Sequence, residues 1–201
     1  MRRPRILGLT GSIGMGKTTT AAMFADAGVP VWDADAAVHR LYASGGAATQ
    51  AVAGLCPEAV GPAGVDRPAL KRWLARTPDG LARLEGAVHP LVARDRAAFI
   101  EHAAGQGARL VLLDIPLLFE TGADRECDAT ITVSAPEALQ RARVLARPGM
   151  TEQALAQLLA RQMPDAEKRA RADHVIDTSD METARAAVAQ LLTRYRRSTD
   201  A

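Results

Sequence analysis

GLTGSIGMGKTT, residues 8–19, is the stretch whose reading decides the fold. Gly11, Gly16, Lys17 and Thr18 satisfy G-x-x-x-x-G-K-[ST]. They do so where a short apolar run, Arg5 to Thr10, gives way to a segment of helical composition, Lys17 to Ala27, closed by Gly28. Strand, glycine-rich loop and helix in succession form the setting in which this pattern holds a nucleotide's phosphates. Glycines let backbone N–H groups turn inward at the positive end of the helix, where a Cβ would obstruct the φ > 0 conformations or the ligand. Lys17 then reaches the β- and γ-phosphates of ATP, and the Thr18 hydroxyl ligates Mg²⁺. The candidate nucleotide-binding residues are Gly11, Ser12, Gly14, Met15, Gly16, Lys17, Thr18 and Thr19.

A triphosphate loop does not name a reaction, because motors, GTPases, transporters and small-molecule kinases all use one. The chain contains no asparagine, so the guanine-reading N-K-x-D signature is absent, and no D-x-x-G of a switch region occurs. Composition narrows the field further. A length of 201 residues with 48% hydrophobic content predicts one domain with a substantial core. The net charge of +2 is spread along the chain, which argues against a dedicated nucleic-acid binder. Cys56 and Cys127 lie far apart and outside any metal-binding spacing. The apolar stretch after the basic start is too short for a signal peptide or membrane span, so the expected location is cytoplasmic. No residue pattern sets an oligomeric state.

Further strands are expected at Val29 to Trp32, Arg109 to Leu113, Ala129 to Val133 and His174 to Asp177. The third and fourth of the five are continuously apolar, as strands buried on both faces must be. Pro57, Pro62, Pro68, Pro78 and Pro90 divide the region from Ala47 to Gly105 into short helices, with no strand required there. Pro136 to Ala146, capped by Ser134, and Thr151 to Gln162 read as a hairpin of helices. Met181 to Arg196 reads as an amphipathic last helix, followed by a frayed tail. Strands alternating with helices imply a doubly wound α/β fold around a mostly parallel five-stranded sheet.

Asp33 and Asp35 follow the second strand, and the carboxyl ends of strands in such sheets face the ligand crevice. One carboxylate can orient and deprotonate an attacking hydroxyl while its neighbour serves Mg²⁺ or the same hydroxyl. The alternative is that they cap the helix beginning near Ala36. The residues leave open which aspartate takes the proton.

VWDAD at 31–35, HPLV at 89–92 and DIPLLFE at 114–120 follow the phosphate loop in order. Gln140, Arg143 and Arg147 then form a Q-x-x-R-x-x-x-R pattern, ahead of Gln162, Lys168 and ADHVID at 172–177. Together these stretches resemble the dephospho-coenzyme A kinase family over about residues 5 to 195. The resemblance implies a single P-loop kinase domain, three-layered, spanning residues 1–201. A helical acceptor-binding insertion would occupy about 37–105 and a helical lid about 147–169. It also implies transfer of the ATP γ-phosphate to the ribose 3′-hydroxyl of dephospho-coenzyme A. Asp35 would be the general base, assisted by Asp33, and both would face the acceptor. Lys17 and Arg147, with Arg143 behind the latter, would act on the phosphates. Asp114 reads either as a carboxylate serving Mg²⁺ at one remove or as a turn former. His89 reads as an interior, hydrogen-bonded histidine or as part of the acceptor site. Leu117, Leu118 and Phe119 form an apolar wall for acceptor or core. Ser12 stands where the family usually has glycine, and Met15, where a small residue is common, would put a thioether beside the nucleotide. Competing readings are another P-loop metabolite kinase, of nucleoside monophosphate or shikimate type, and an ATP-binding sensor.

Overall fold

The structure, a computed structural model, describes residues 3–197. The frayed tail expected after Arg197 lies outside the described residues. Three strands form the middle of the main sheet: β1 (Arg5–Thr10), β5 (Leu110–Asp114) and β6 (Ala129–Ser134). Every residue of β5 and β6 is buried, and so is every residue of β1 after Arg5. Unbroken burial requires helices over both faces, which is what makes such strands read as continuous apolar runs. With β2 (Val31–Asp33) and β7 (His174–Asp177) the sheet order is β2-β5-β1-β6-β7. The β1–β5, β1–β6 and β6–β7 pairings are parallel.

All five expected strands are present. β2 starts two residues later than its composition suggests, because Pro30 has no N–H for the ladder, although its carbonyl accepts from Leu112 N–H at 2.9 Å. A proline is tolerated there because β2 is an edge strand.

The chain divides into two compact units, one made of the segments up to Trp32 and from His102 onward, the other of Asp33–Glu101. In the first unit α1 (Lys17–Asp26) packs on α9 (Met181–Arg197), and α8 (Asp165–Arg171) packs on β6. Its core joins Leu7, Leu9, Phe24, Leu112, Ile131 and Val188. The helix expected from Pro136 is α6 (Glu137–Leu145), and α7 (Glu152–Leu159) follows it. Ser134 does not cap α6. It is the last residue of β6, and its hydroxyl donates instead to Asp165 Oδ2 at 2.7 Å.

The second unit contains α2 (Ala34–Tyr42), α3 (Ala47–Leu55), α4 (Arg67–Arg76) and most of α5 (Gly80–Gly105) around Leu41, Val52, Leu70, Leu84 and Val88. Two expectations fail here. A small antiparallel hairpin, β3 (Val60–Gly61) with β4 (Gly64–Val65), stands where no strand was needed. Two-residue strands are too short to show alternation, and the hairpin depends on Gly64 at φ 103°, where a Cβ would lie 2.2 Å from the Tyr42 carbonyl oxygen. Pro90, expected to end a helix, lies inside α5. The N–H it lacks would have bonded Gly86, and both residues are exposed, so water can satisfy the freed carbonyl while Leu84 and Val88 stay buried.

Candidate active site

Between β1 and α1 the phosphate loop turns on two left-handed glycines, Gly14 at φ 79° and Gly16 at φ 86°. No other residue type in the described chain has positive φ, so Ser12 sits in the loop without strain. Gly11 has a different reason to be glycine: a Cβ there would lie 2.3 Å from Val133 Cγ2 on β6. At Gly14 a Cβ would meet Val144 Cγ2 at 2.5 Å and the Gln140 carbonyl oxygen at 3.1 Å, both on α6. The loop is thus pressed against the sheet on one side and α6 on the other.

Side chains then tie it down. Ile13 N–H donates to Gln162 Oε1 at 3.1 Å, and the Ile13 carbonyl accepts from Gln140 Nε2 at 2.8 Å. The Met15 carbonyl accepts from the Thr178 hydroxyl at 2.8 Å. The Met15 side chain is buried in the sheet core, its sulfur accepting from Ala135 N–H at 3.1 Å, so the thioether expected beside the nucleotide points inward instead. Thr18 and Thr19 are exposed in the first turn of α1.

Lys17 Nζ donates to Asp114 Oδ1 at the end of β5, a pair whose carboxylate is almost wholly buried. Asp114 therefore offers the lysine a counter-charge within the phosphate loop's own unit. Two residues on, the Pro116 carbonyl accepts from the Thr10 hydroxyl at 2.9 Å and from Lys168 Nζ at 3.3 Å. Lys168, with no exposed side-chain surface, also pairs with Glu120 at 2.8 Å. Burial alone would raise the Glu120 carboxyl, but the Lys168 bond and the Met163 N–H at 2.8 Å outweigh it and hold it below the usual carboxylate range. In that segment Leu118 and Phe119 are core residues, whereas Leu117 is 38% exposed.

Arg143 Nη2 donates to the Thr178 carbonyl at 2.7 Å, while its Nη1 is buried without a partner. Arg147 is exposed in the link between α6 and α7. In the second unit Asp33 caps α2, accepting from Ala36 N–H at 2.9 Å. The capping alternative therefore holds for Asp33, whose second oxygen is left for other work. Asp35 is exposed in the first turn of α2. His89 is exposed on α5, not interior as its hydrogen-bonded reading required.

A sequence profile of the dephospho-CoA kinase family matches residues 5–183. A dephospho-CoA kinase of Cereibacter sphaeroides is 60% identical over 199 residues, 99% of this chain and 100% of that relative. The chain belongs to the dephospho-CoA kinase family. It is an ATP-dependent kinase with an alcohol group as acceptor. A crystal structure from Thermus thermophilus, 35% identical, superposes with a TM-score of 0.82 over 96% of this chain and 98% of that one. The dephospho-CoA kinase from Campylobacter jejuni shares the fold at 17% identity, with a TM-score of 0.66 over 96% and 98% of the two chains.

Several residues of the family pattern gain a physical role only in three dimensions. Gln140, Gln162 and Lys168 stood out in the sequence with no task attached, and they hold the phosphate loop and the segment after β5. Thr178 gave no signal at all, since a lone threonine after a strand is common, and its contacts with Met15 and Ser134 span more than forty residues.

Proposed function

We propose that this chain transfers the γ-phosphate of ATP to the ribose 3′-hydroxyl of dephospho-coenzyme A, giving coenzyme A and ADP in the final step of coenzyme A synthesis. The full-length match to the family carries this reading, and the phosphate loop supports its donor half. Loop N–H groups cradle the β- and γ-phosphates, and Lys17 exchanges Asp114 for the phosphate oxygens as charge builds on them. Arg143 and Arg147 add guanidinium donors, the latter from a lid over about residues 147–169 whose closure keeps water from competing with the acceptor. Asp35 takes the proton of the 3′-hydroxyl, and Asp33 orients that hydroxyl with the oxygen its cap leaves spare. Helices of the region 37–105, with His89, and Leu117 from the segment after β5 hold the acceptor.

Among the described residues no group of three or more His, Cys, Asp or Glu could hold a metal by itself. The exposed Thr18 hydroxyl, next in the chain to the Lys17 that pairs with Asp114, suits an ion that takes most of its ligands from phosphate and water. Mg²⁺ held there would supply positive charge to offset the negative charge on the phosphates. No described helix is long and apolar enough to cross a membrane, and we place the enzyme in the cytoplasm.

Asp35→Asn tests the assignment of the base. It should lower kcat by at least about a hundredfold with the KM for ATP within about twofold of wild type. An Asp35→Asn enzyme of near-normal kcat would remove Asp35 from the chemistry.

A further inference from the structure

Ile13 lies between the glycines of the phosphate loop, and both polar groups of this residue's backbone are held by glutamine side chains, Gln162 on the N–H and Gln140 on the carbonyl. The two amides have opposite duties that chemistry fixes. An N–H can only donate, so Gln162 must present its oxygen, and a carbonyl can only accept, so Gln140 must present its nitrogen. Gln140 is 4% exposed and belongs to α6, the helix against which Gly14 is packed. Gln162 lies between α7 and α8, and its neighbour Met163 is itself held by Glu120. Because the Ile13 N–H is committed to Gln162, phosphate oxygens are left to the later N–H groups of the loop.

We propose that Gln140 and Gln162 are positioning residues for ATP. They set the phosphate loop in its nucleotide-holding shape before the nucleotide arrives, and Gln162 ties that shape to the α7–α8 part of the candidate lid. Removing either bond shifts the ordering of the loop onto the binding step, where it weakens affinity for ATP without touching the acceptor. The inference rests on the reading of the loop as the ATP site.

The test measures Mg²⁺-ATP affinity calorimetrically, and separate KM values for ATP and dephospho-coenzyme A, in wild type and in Gln162→Met, Gln162→Glu, Gln140→Met and Gln140→Glu. Each methionine variant should weaken ATP binding about tenfold and raise its KM alike, with the acceptor KM within about twofold of wild type. Both glutamate variants put one negative charge beside the same residue. Gln162→Glu keeps an acceptor for the N–H, whereas Gln140→Glu sets a carboxylate against the Ile13 carbonyl. Gln162→Glu should therefore bind ATP about tenfold more tightly than Gln140→Glu. Equal affinities for those two, or a methionine variant that binds ATP as wild type does, would overturn the proposal. So would equal rises in both KM values, which mark a general loss of structure. Wild-type protein that bound no ATP would instead refute the reading of the loop. Should the Gln140 variants not fold, hydrogen exchange at the Ile13 amide decides: slow in nucleotide-free wild type and at least about tenfold faster in Gln162→Met, with a fast wild-type amide contradicting the clamp.

Discussion

Met15 shows how a residue inside a nucleotide loop can serve the core instead of the ligand. Its side chain is 3% exposed and fills space among the sheet residues, with Ala135 N–H on its sulfur. Met15→Ser, which restores the small residue common in the family, should therefore cost about 2–4 kcal/mol of stability through the cavity it opens. Chemical denaturation measures this loss directly, and ATP affinity should move by less than about threefold. The residue positions of the loop were legible from spacing alone, because four fixed positions in one local setting specify a backbone shape. Met15's direction was not, since whether a loop side chain faces ligand or core depends on β6 and its following residue, more than a hundred positions away. His89 misled for a related reason: which side of a helix a residue takes is settled only once the helix is placed, and His89 falls on the exposed side of α5.

At the scale of elements, the segment after β5 and helix α8 are joined by Lys168 and Glu120. Lys168→Met would leave the Glu120 carboxylate, whose side chain is 19% exposed, with backbone N–H groups, Met163's among them, as its remaining donors, and should destabilise the protein by about 3 kcal/mol. Replacing both residues, Lys168→Met with Glu120→Leu, should recover most of that loss, because an apolar pair of similar volume avoids the desolvation of two charges. Thermal melts of the single and double variants give the comparison; a double variant no more stable than the single one would show that the pair fixes geometry that packing cannot replace. Elements of this kind divide sharply in how far sequence reveals them. The five strands and the last helix follow from apolar runs and helical spacing, since both patterns report burial directly. The β3–β4 hairpin and the proline inside α5 do not, because each depends on what lies opposite: a backbone carbonyl against Gly64 in one case, open water beside Gly86 in the other.

Across the whole molecule, the carboxylates and the histidine whose pKa the fold shifts are all moved downward. Burial, with Arg194 adding to it and Asp173 opposing, holds the His174 imidazolium pKa below its ordinary value of about 6.5. Hydrogen bonds from Thr130 and from Ser179 lower Asp173 and Asp177, and Glu120 is lowered as well. A group whose pKa is depressed on folding binds its proton more readily in the unfolded chain, so stability is lost as the pH falls. The first loss should begin as the pH falls below about 6.5, from His174, and a second should follow as the pH falls through the ordinary carboxylate range, about 4, and below it. His174→Gln should flatten the first step in a series of denaturant melts and leave the second; an unchanged first step would assign it elsewhere.

The central claim concerns the reaction, and ADP release with Mg²⁺-ATP and a panel of acceptors tests it most directly. Dephospho-coenzyme A, AMP, shikimate and no acceptor would be supplied separately, with the product identified by mass and by the position of its new phosphate. Rapid release with dephospho-coenzyme A alone, giving coenzyme A phosphorylated at the 3′-oxygen, is the expected result. Equal or faster release with another acceptor, or none with dephospho-coenzyme A, would contradict it.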